Sequence, residues 1–171
     1  MTPERCPALD GWDTWFFSRS ANDVGGDLVD CLDLDGEHFG FVIGDVSGKG
    51  LGAALLMAQL QASVQALAPS STSISQLVSR LNGLYCRGGL SSSFISFIYL
   101  DVRPNSGRVS FVNAGHLPPV ILCNGKVQEW SKGSVALGLE KNAKFQEEHV
   151  TLEQDDVLIV FTDGVTEARN N

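Results

Sequence analysis

Three aspartates in the sequence share a setting that suits metal chemistry. Asp27 follows a pair of glycines, Asp45 ends the apolar run 38–44, and Asp163 ends the mostly apolar run 157–162. Each has a glycine beside it, which lets the backbone or a ligand approach closely. A carboxylate at the end of a buried strand is costly unless a cation or a metal ion balances its charge.

These acids predict a metal site made of oxygen ligands. The chain has 12 lysines and arginines, and Lys49 is the closest of them to the three aspartates along the sequence. Carboxylates without histidine or cysteine form a hard site, which favours Mg²⁺ or Mn²⁺ over zinc. Such ions suit hydrolysis of phosphate esters, because they generate hydroxide from water and neutralise phosphoryl oxygens. A single Asp-Gly pair is more often a turn, so the prediction depends on all three.

The lysine itself does not indicate a nucleotide site. In VIGDVSGKGLGAALLMA, residues 42–58, a P-loop would need glycine at the position of Ile43 and serine or threonine at the position of Gly50. We expect the glycines to form a sharp turn between a strand and a helix, with Lys49 solvated. No Gly-x-Ser-x-Gly elbow and no activated cysteine is present, so no protein nucleophile is indicated.

The elements that would position the acids are mostly strands. Strands are predicted at 12–20, 26–34, 38–46, 93–102, 107–114, 119–123, 126–130, 147–152 and 157–164, and helices at 51–67 and 74–86. Asp35-Gly36 and Asn124-Gly125 indicate hairpin turns, and Ser73 with Gln76 fits a capping box. Many hairpins with two inserted helices predict an α+β layered sandwich rather than a doubly wound parallel sheet.

The composition describes an acidic globular chain. Its 171 residues are 43% hydrophobic, enough for the core of one domain, and its net charge of −8 argues against nucleic acid as a partner. No apolar stretch reaches the ~18 residues that span a bilayer, and the N-terminus lacks the apolar segment of a signal peptide. The four cysteines form no Cys-x-x-Cys pair. We therefore expect free thiols, a cytoplasmic location and no membrane contact.

Four stretches, in order, resemble one family. VGGDLVDCLDL, VIGDVSGKGLGAALLMA, FVNAGHLPPVIL and VLIVFTDGVTEARN are similar to motifs of the metal-dependent serine/threonine phosphatases of type 2C, in the bacterial subgroup of RsbU and SpoIIE. The resemblance covers roughly residues 10–171. It implies a layered αββα sandwich, in which helices flank two stacked, mostly antiparallel sheets. It also implies a site for two Mn²⁺ or Mg²⁺ ions between the sheets.

The same resemblance assigns roles to individual residues. Asp45 would bridge both metal ions, Asp27 and the Val46 carbonyl would bind one ion, and Asp163 would bind the other. These three aspartates would be the catalytic residues.

Two further residues in the motifs are candidates for contact with substrate. His116, in FVNAGHLPPVIL, is either a turn residue with a satisfied hydrogen bond or a residue beside the substrate. Arg169, which follows the Asp163 motif, is suited to hold a phosphate but is equally suited to be solvated.

The resemblance also implies partners. The substrate would be phosphoserine or phosphothreonine on a regulatory protein, usually a STAS-type anti-anti-sigma factor, and the output would be sigma-factor signalling in a stress response. Relatives often carry upstream sensor or receiver domains that act through helices beside the site, of which 51–67 would be one. They also often form homodimers.

Family members continue past the TDGVTEA motif to a further aspartate that completes the second metal site. No aspartate follows Asp163 in residues 164–171. We therefore expect one type 2C-like domain, residues 1–171, that lacks its C-terminal part, binds its second metal ion poorly and is weakly active or inactive. Two alternatives stay open: an inactive relative that works as a binding or signalling module, and a metal-dependent phosphohydrolase of small molecules.

Overall fold

The computed structural model describes residues 6–18, 25–87, 93–130 and 133–166. Its strands are β1 Asp27–Asp33, β2 Phe39–Val46, β3 Ile95–Arg103, β4 Arg108–Ala114, β5 Val120–Cys123, β6 Lys126–Glu129, β7 Glu148–Thr151 and β8 Val157–Ile159. Its helices are α1 Leu51–Leu67, α2 Ile74–Arg87 and α3 Asp163–Thr166. α1 has the predicted bounds, and α2 extends one residue beyond its predicted end.

The strands pair into two antiparallel sheets. The larger sheet has the order β1-β2-β3-β4-β7 and the smaller sheet the order β6-β5-β8. At the β1–β2 turn, the Asp35 carboxylate accepts hydrogen bonds from the backbone N–H groups of Glu37 and His38. At the β5–β6 turn, Asn124 and Gly125 have φ values of 50° and 69°, as a tight hairpin turn requires. The predicted α+β sandwich of mostly antiparallel sheets is confirmed.

Two apolar layers hold the fold together. The first lies between α1, α2 and one face of the larger sheet, and its fully buried side chains include Val42, Leu60 and Phe97. The second lies between the two sheets and includes Phe111 and Ile121. The larger sheet is therefore covered by the helices on one face and by the smaller sheet on the other. In the described part of the chain, the long helices lie only on the side of the larger sheet.

A buried polar contact fixes α1 against β1. The Asp30 side chain, 5% exposed, accepts hydrogen bonds from Gln61 Nε2 at 3.2 Å and Gln65 Nε2 at 2.8 Å. Contrary to the prediction, the segment Leu51–Ser70 is long and apolar enough to cross a membrane by length and composition alone. A helix that packs in a protein core meets the same criteria, and five side chains of α1 are buried against the sheet.

Two strand predictions are wrong in their extent. Residues 12–18 of the first predicted strand, 12–20, pair with no strand in the described part of the chain, and residues 19–20 lie outside it. Trp15 and Phe17 instead stack on each other with ring centroids 6.1 Å apart. Aromatic residues favour strands only where a neighbouring strand and a core receive them. The last predicted strand ends at Ile159 and does not reach Asp163.

Candidate active site

Strand pairing brings Asp27 and Asp45 together. Asp27 is the first residue of β1 and lies opposite Asp45 in the antiparallel register with β2. Directly opposed residues of such a pair project to the same face of a sheet. The preceding Gly26 has no side chain, and a Cβ there would lie 3.1 Å from the Val46 carbonyl oxygen and 3.6 Å from Asp45 Oδ1. A small space bordered by a carbonyl and a carboxylate oxygen therefore adjoins the pair.

Asp163 approaches this pair from the segment that follows β8. It is the first residue of α3 and is exposed. Its negative charge raises the pKa of both Asp27 and Asp45, which shows that it lies within electrostatic reach of them. Asp163 does not end a buried strand as predicted, because β8 stops at Ile159. The structure nevertheless brings the three predicted aspartates into one electrostatic cluster.

The environment of the cluster opposes ionisation of Asp27 and Asp45. Desolvation raises the pKa of Asp45 to about 6, with further contributions from the charges of Asp27 and Asp163. Desolvation is also the main cause that raises the pKa of Asp27. Across residues 6–18, 25–87, 93–130 and 133–166, the ion pairs involve other acids, and no lysine or arginine neutralises the cluster. A bound cation would supply the missing positive charge.

The donor atoms suit a hard divalent ion, although they do not surround one completely. Among the described residues, no three histidine, cysteine or acidic side chains are grouped closely enough to hold a metal ion. Mg²⁺, however, commonly keeps several waters and takes only one or two carboxylates from a protein. Asp27, Asp45 and the Val46 carbonyl are such a set, and they match the ligands predicted for one of the two ions. The exposed Asp163 is a less complete match for the ligands of the other ion. The individual ligand roles stay predictions.

The glycine-rich turn after β2 has the predicted geometry. Gly48 and Gly50 have φ values of 115° and 76°, a region of backbone conformation that residues other than glycine rarely adopt. Gly50 is the N-cap residue of α1 and its backbone carbonyl accepts a hydrogen bond from the Ala54 N–H at 3.1 Å. Lys49 is exposed between the two glycines, as predicted.

The motif Asn113-Ala114-Gly115-His116 forms a tight loop after β4. The Asn113 side chain accepts a hydrogen bond from the His116 N–H at 2.8 Å and donates one to the His116 carbonyl at 3.0 Å. Gly115 has a φ of +72°, and a Cβ there would lie 2.7 Å from the backbone nitrogen of Ala136. The asparagine and the glycine together fix where the histidine side chain leaves the backbone.

His116 is buried beside the acidic cluster. Its Nδ1 lies 3.0 Å from the hydroxyl of Ser96, the β3 residue opposite Asp45. Desolvation lowers the pKa of His116 to about 4, while the Phe161 backbone and the Asp163 charge act in the opposite direction. The imidazole is therefore neutral at pH 7. A role for this side chain in contact with substrate stays a prediction.

Ser96 is a site residue that was not predicted from the sequence. The signal was a single polar residue within the apolar run 94–100, where a hydroxyl needs a partner when buried. Arg169, the other candidate for contact with substrate, lies outside the described residues.

Comparison with known proteins places these features in one family. The Stage II sporulation protein E (SpoIIE) family matches residues 35–171. Phosphoserine phosphatase RsbU of Bacillus subtilis (strain 168) is 26% identical over 162 residues, which cover 88% of this chain and 48% of RsbU. Phosphoserine phosphatase RsbP of the same organism is 26% identical over 155 residues, which cover 87% of this chain and 38% of RsbP. The chain thus spans about half or less of these curated relatives.

Solved structures share the fold. The PP2C phosphatase domain of SpoIIE from Bacillus subtilis, with a fragment of its regulatory domain, has a TM-score of 0.74 at 16% identity and covers 87% of this chain and 44% of that one. RsbX in complex with magnesium has a TM-score of 0.70 at 17% identity, covering 86% of this chain and 71% of that one. At these identities the likeness shows the architecture of two antiparallel sheets with helices.

Proposed function

The chain belongs to the SpoIIE family of bacterial serine phosphatase domains, and we propose that it hydrolyses phosphoserine or phosphothreonine on a regulatory protein with Mn²⁺ or Mg²⁺. The observation that carries the proposal is the Asp27–Asp45 pair beside the Val46 carbonyl, a set of oxygen donors with no neutralising cation among the described side chains. The similarity to the phosphoserine phosphatases RsbU and RsbP supports the class of reaction.

In this proposal the three aspartates and one carbonyl hold the metal ions. Asp27, Asp45 and the Val46 carbonyl would bind one divalent ion, and Asp45 and Asp163 would bind the other. Such ions, when bound, activate water and neutralise the phosphoryl oxygens. The magnesium in the structure of RsbX, which shares the fold, supports a hard divalent ion over a soft one.

The chain's own residues prepare the site for a cation and for phosphate. Because the pKa of Asp45 is raised to about 6, a proton competes with the metal ion for this carboxylate in mildly acidic solution. The neutral His116 adds no positive charge that would compete with the cation. The exposed side chain of Asp163 and the exposed turn 48–50 leave the acids open to a phosphorylated segment of another protein.

The proposed substrate is a phosphorylated STAS-type anti-anti-sigma protein in the cytoplasm, and the proposed output is control of a sigma factor. The resemblance to RsbU, RsbP and SpoIIE supports this choice. An upstream sensor or receiver domain and a homodimer are part of the same proposal.

One observation favours a second candidate, a phosphatase-like module that binds partners without catalysis. No three potential ligand side chains within the described ranges are grouped around one point. Such a module would bind the phosphorylated protein but release no phosphate from it.

Phosphate release in the presence of Mn²⁺ separates these functions. The chain is incubated with a phosphorylated STAS-type protein, beside Asp45→Asn and Asp33→Asn. Asp33 is an exposed residue at the other end of β1 and serves as the matched control. We expect release by the wild type and by Asp33→Asn, and a loss of at least about 100-fold, or ~3 kcal/mol, in Asp45→Asn.

Two other outcomes have defined meanings. Equal release by Asp45→Asn and the wild type would exclude the metal-dependent site proposed here. No release by any variant, with the phosphorylated protein still bound, would favour the binding module.

A further inference from the structure

Ser96 and His116 adjoin the acidic cluster. Ser96 faces Asp45 in the β2–β3 register, and its hydroxyl oxygen is 3.0 Å from His116 Nδ1 and 3.5 Å from the Asp45 carbonyl oxygen. The Phe161 backbone and the Asp163 charge also act on the imidazole. His116 therefore contacts Ser96 and lies within electrostatic reach of the segment that carries Asp163.

The Nε2 atom of His116 is buried and makes no hydrogen bond of ordinary length and angle among the described residues. The histidine is 9% exposed, so water does not readily satisfy this atom. A buried polar atom without a partner costs about 1–3 kcal/mol. Such an atom calls for an explanation in terms of position or ligand.

The position of the ring proton follows from the surroundings. The Ser96 hydroxyl has one proton to donate, and its contact with His116 Nδ1 is 0.5 Å shorter than its contact with the Asp45 carbonyl, at 3.0 Å against 3.5 Å. Donation to Nδ1 leaves the imidazole proton on Nε2. Both the Phe161 backbone and the Asp163 charge favour positive charge on the ring, so a ring proton at Nε2 suits these surroundings better than a lone pair would.

We infer that Ser96 and His116 are positioning residues for the metal site, an inference that rests on the proposed function. The serine hydroxyl holds the imidazole with its proton on Nε2, and that N–H, which has no hydrogen-bond partner among the described residues, attracts the Phe161–Asp163 segment electrostatically toward Asp45. α3 has only four residues, too few for a helix to be stable by itself. The reach of Asp163 toward an ion at Asp45 is thus set by the Ser96–His116 hydrogen bond and by the attraction of the imidazole N–H for this segment.

Mn²⁺ binding to the 171-residue chain, measured by titration calorimetry, tests the inference without any need for turnover. Ser96→Ala removes the hydroxyl, and Ser96→Thr retains it at the same position on β3. Loss of a group that orients a metal ligand typically weakens binding by 10–100-fold, so we expect about 10-fold weaker binding for Ser96→Ala and a change under about 3-fold for Ser96→Thr. Thermal unfolding of both variants shows whether they remain folded.

A second readout follows the tautomer directly. Nitrogen NMR of the imidazole rings is practical because the chain contains three histidines. We expect the Nε2–H form of His116 in the wild type and a mixture of forms in Ser96→Ala. A purely structural role for the serine would change the melting temperature and leave the tautomer unmoved.

Each result decides the inference. Wild-type Mn²⁺ affinity in Ser96→Ala, equal losses in Ser96→Ala and Ser96→Thr, an Nδ1–H tautomer in the wild type, or no Mn²⁺ binding by the wild type would each overturn it. Failure of the proposed function is distinguishable. If Mn²⁺ binds and Ser96→Ala weakens that binding, but no phosphate is released, the positioning role stands and the phosphatase activity does not.

Discussion

Replacement of Asp45 with asparagine is expected to stabilise the metal-free protein while it removes metal binding. Desolvation and the charges of Asp27 and Asp163 raise the pKa of Asp45 from 3.8 to about 6. A tenfold change in proton affinity is worth about 1.4 kcal/mol, so ionised Asp45 would destabilise a fully shielded site by about 3 kcal/mol at pH 7. Because the carboxyl group is only half-buried, solvent screening reduces this figure to about 1–2 kcal/mol.

The pH dependence has a defined direction. The pKa of Asp45 is higher in the folded state than the 3.8 of the unfolded state, so the folded state binds more protons between about pH 4 and pH 6. The stabilisation from the protonated carboxyl is fully present below about pH 4 and is lost as the pH rises through about 6. The stability of the wild type relative to Asp45→Asn should therefore fall across this interval and stay constant above it.

Thermal unfolding in EDTA measures both effects. At pH 7 we expect the melting temperature of Asp45→Asn to rise by about 2–8 °C, since 1 kcal/mol corresponds to about 2–4 °C in a chain of this size. Addition of Mn²⁺ should then stabilise the wild type and leave Asp45→Asn unchanged.

Asp30→Asn is the matched control, because the same substitution is made at a buried carboxylate with a different environment. The Asp30 carboxylate accepts hydrogen bonds from two glutamine side chains and the Cys31 N–H. Its replacement should lower stability by about 1–3 kcal/mol. A lower melting temperature for Asp45→Asn without metal, or a higher one for Asp30→Asn, would contradict this account of Asp45.

Three further substitutions test neighbouring parts of the site. Gly26→Ala places a Cβ 3.1 Å from the Val46 carbonyl oxygen, so Mn²⁺ titration should show at least about 10-fold weaker binding; unchanged affinity would place the ion elsewhere. Gly115→Ala forces a side chain against Ala136 at positive φ and should lower the free energy of unfolding in urea by more than about 2 kcal/mol. Lys49→Ala should change the free energy of unfolding by less than about 0.5 kcal/mol and should leave Mn²⁺ affinity unchanged. Stabilisation of the wild type by a nucleotide would instead support a P-loop at this turn.

The parts of the fold that short-range signals determine could be predicted from the sequence. Asn124 and Gly125 adopt the positive φ values that their residue types favour. The turn at Asp35-Gly36 fixes the pairing of β1 with β2, and this pairing is what places Asp27 opposite Asp45. The Asp27–Asp45 pair of the candidate site could therefore be predicted from one hairpin.

The remainder depended on contacts between distant segments. Ser96 and His116 are 20 residues apart, and nothing in their local sequences shows that they meet. The extent of β8 depended on its partner, because β5 pairs with it only from Val157 to Ile159. Residues 12–18 have the composition of a strand, but no strand in the described part of the chain receives them.

The hydrogen bonds from α1 to Asp30 have a mechanical consequence. Gln61 and Gln65 donate hydrogen bonds to one carboxylate from successive turns of the helix. A displacement of α1 along its axis by one residue, about 1.5 Å, would strain both hydrogen bonds. These contacts couple the position of α1 to that of β1, and Asp27 lies three residues before Asp30 on the same strand. A partner that displaced the first turn of α1, where Leu51 and Leu55 are exposed, would therefore shift Asp27 relative to Asp45.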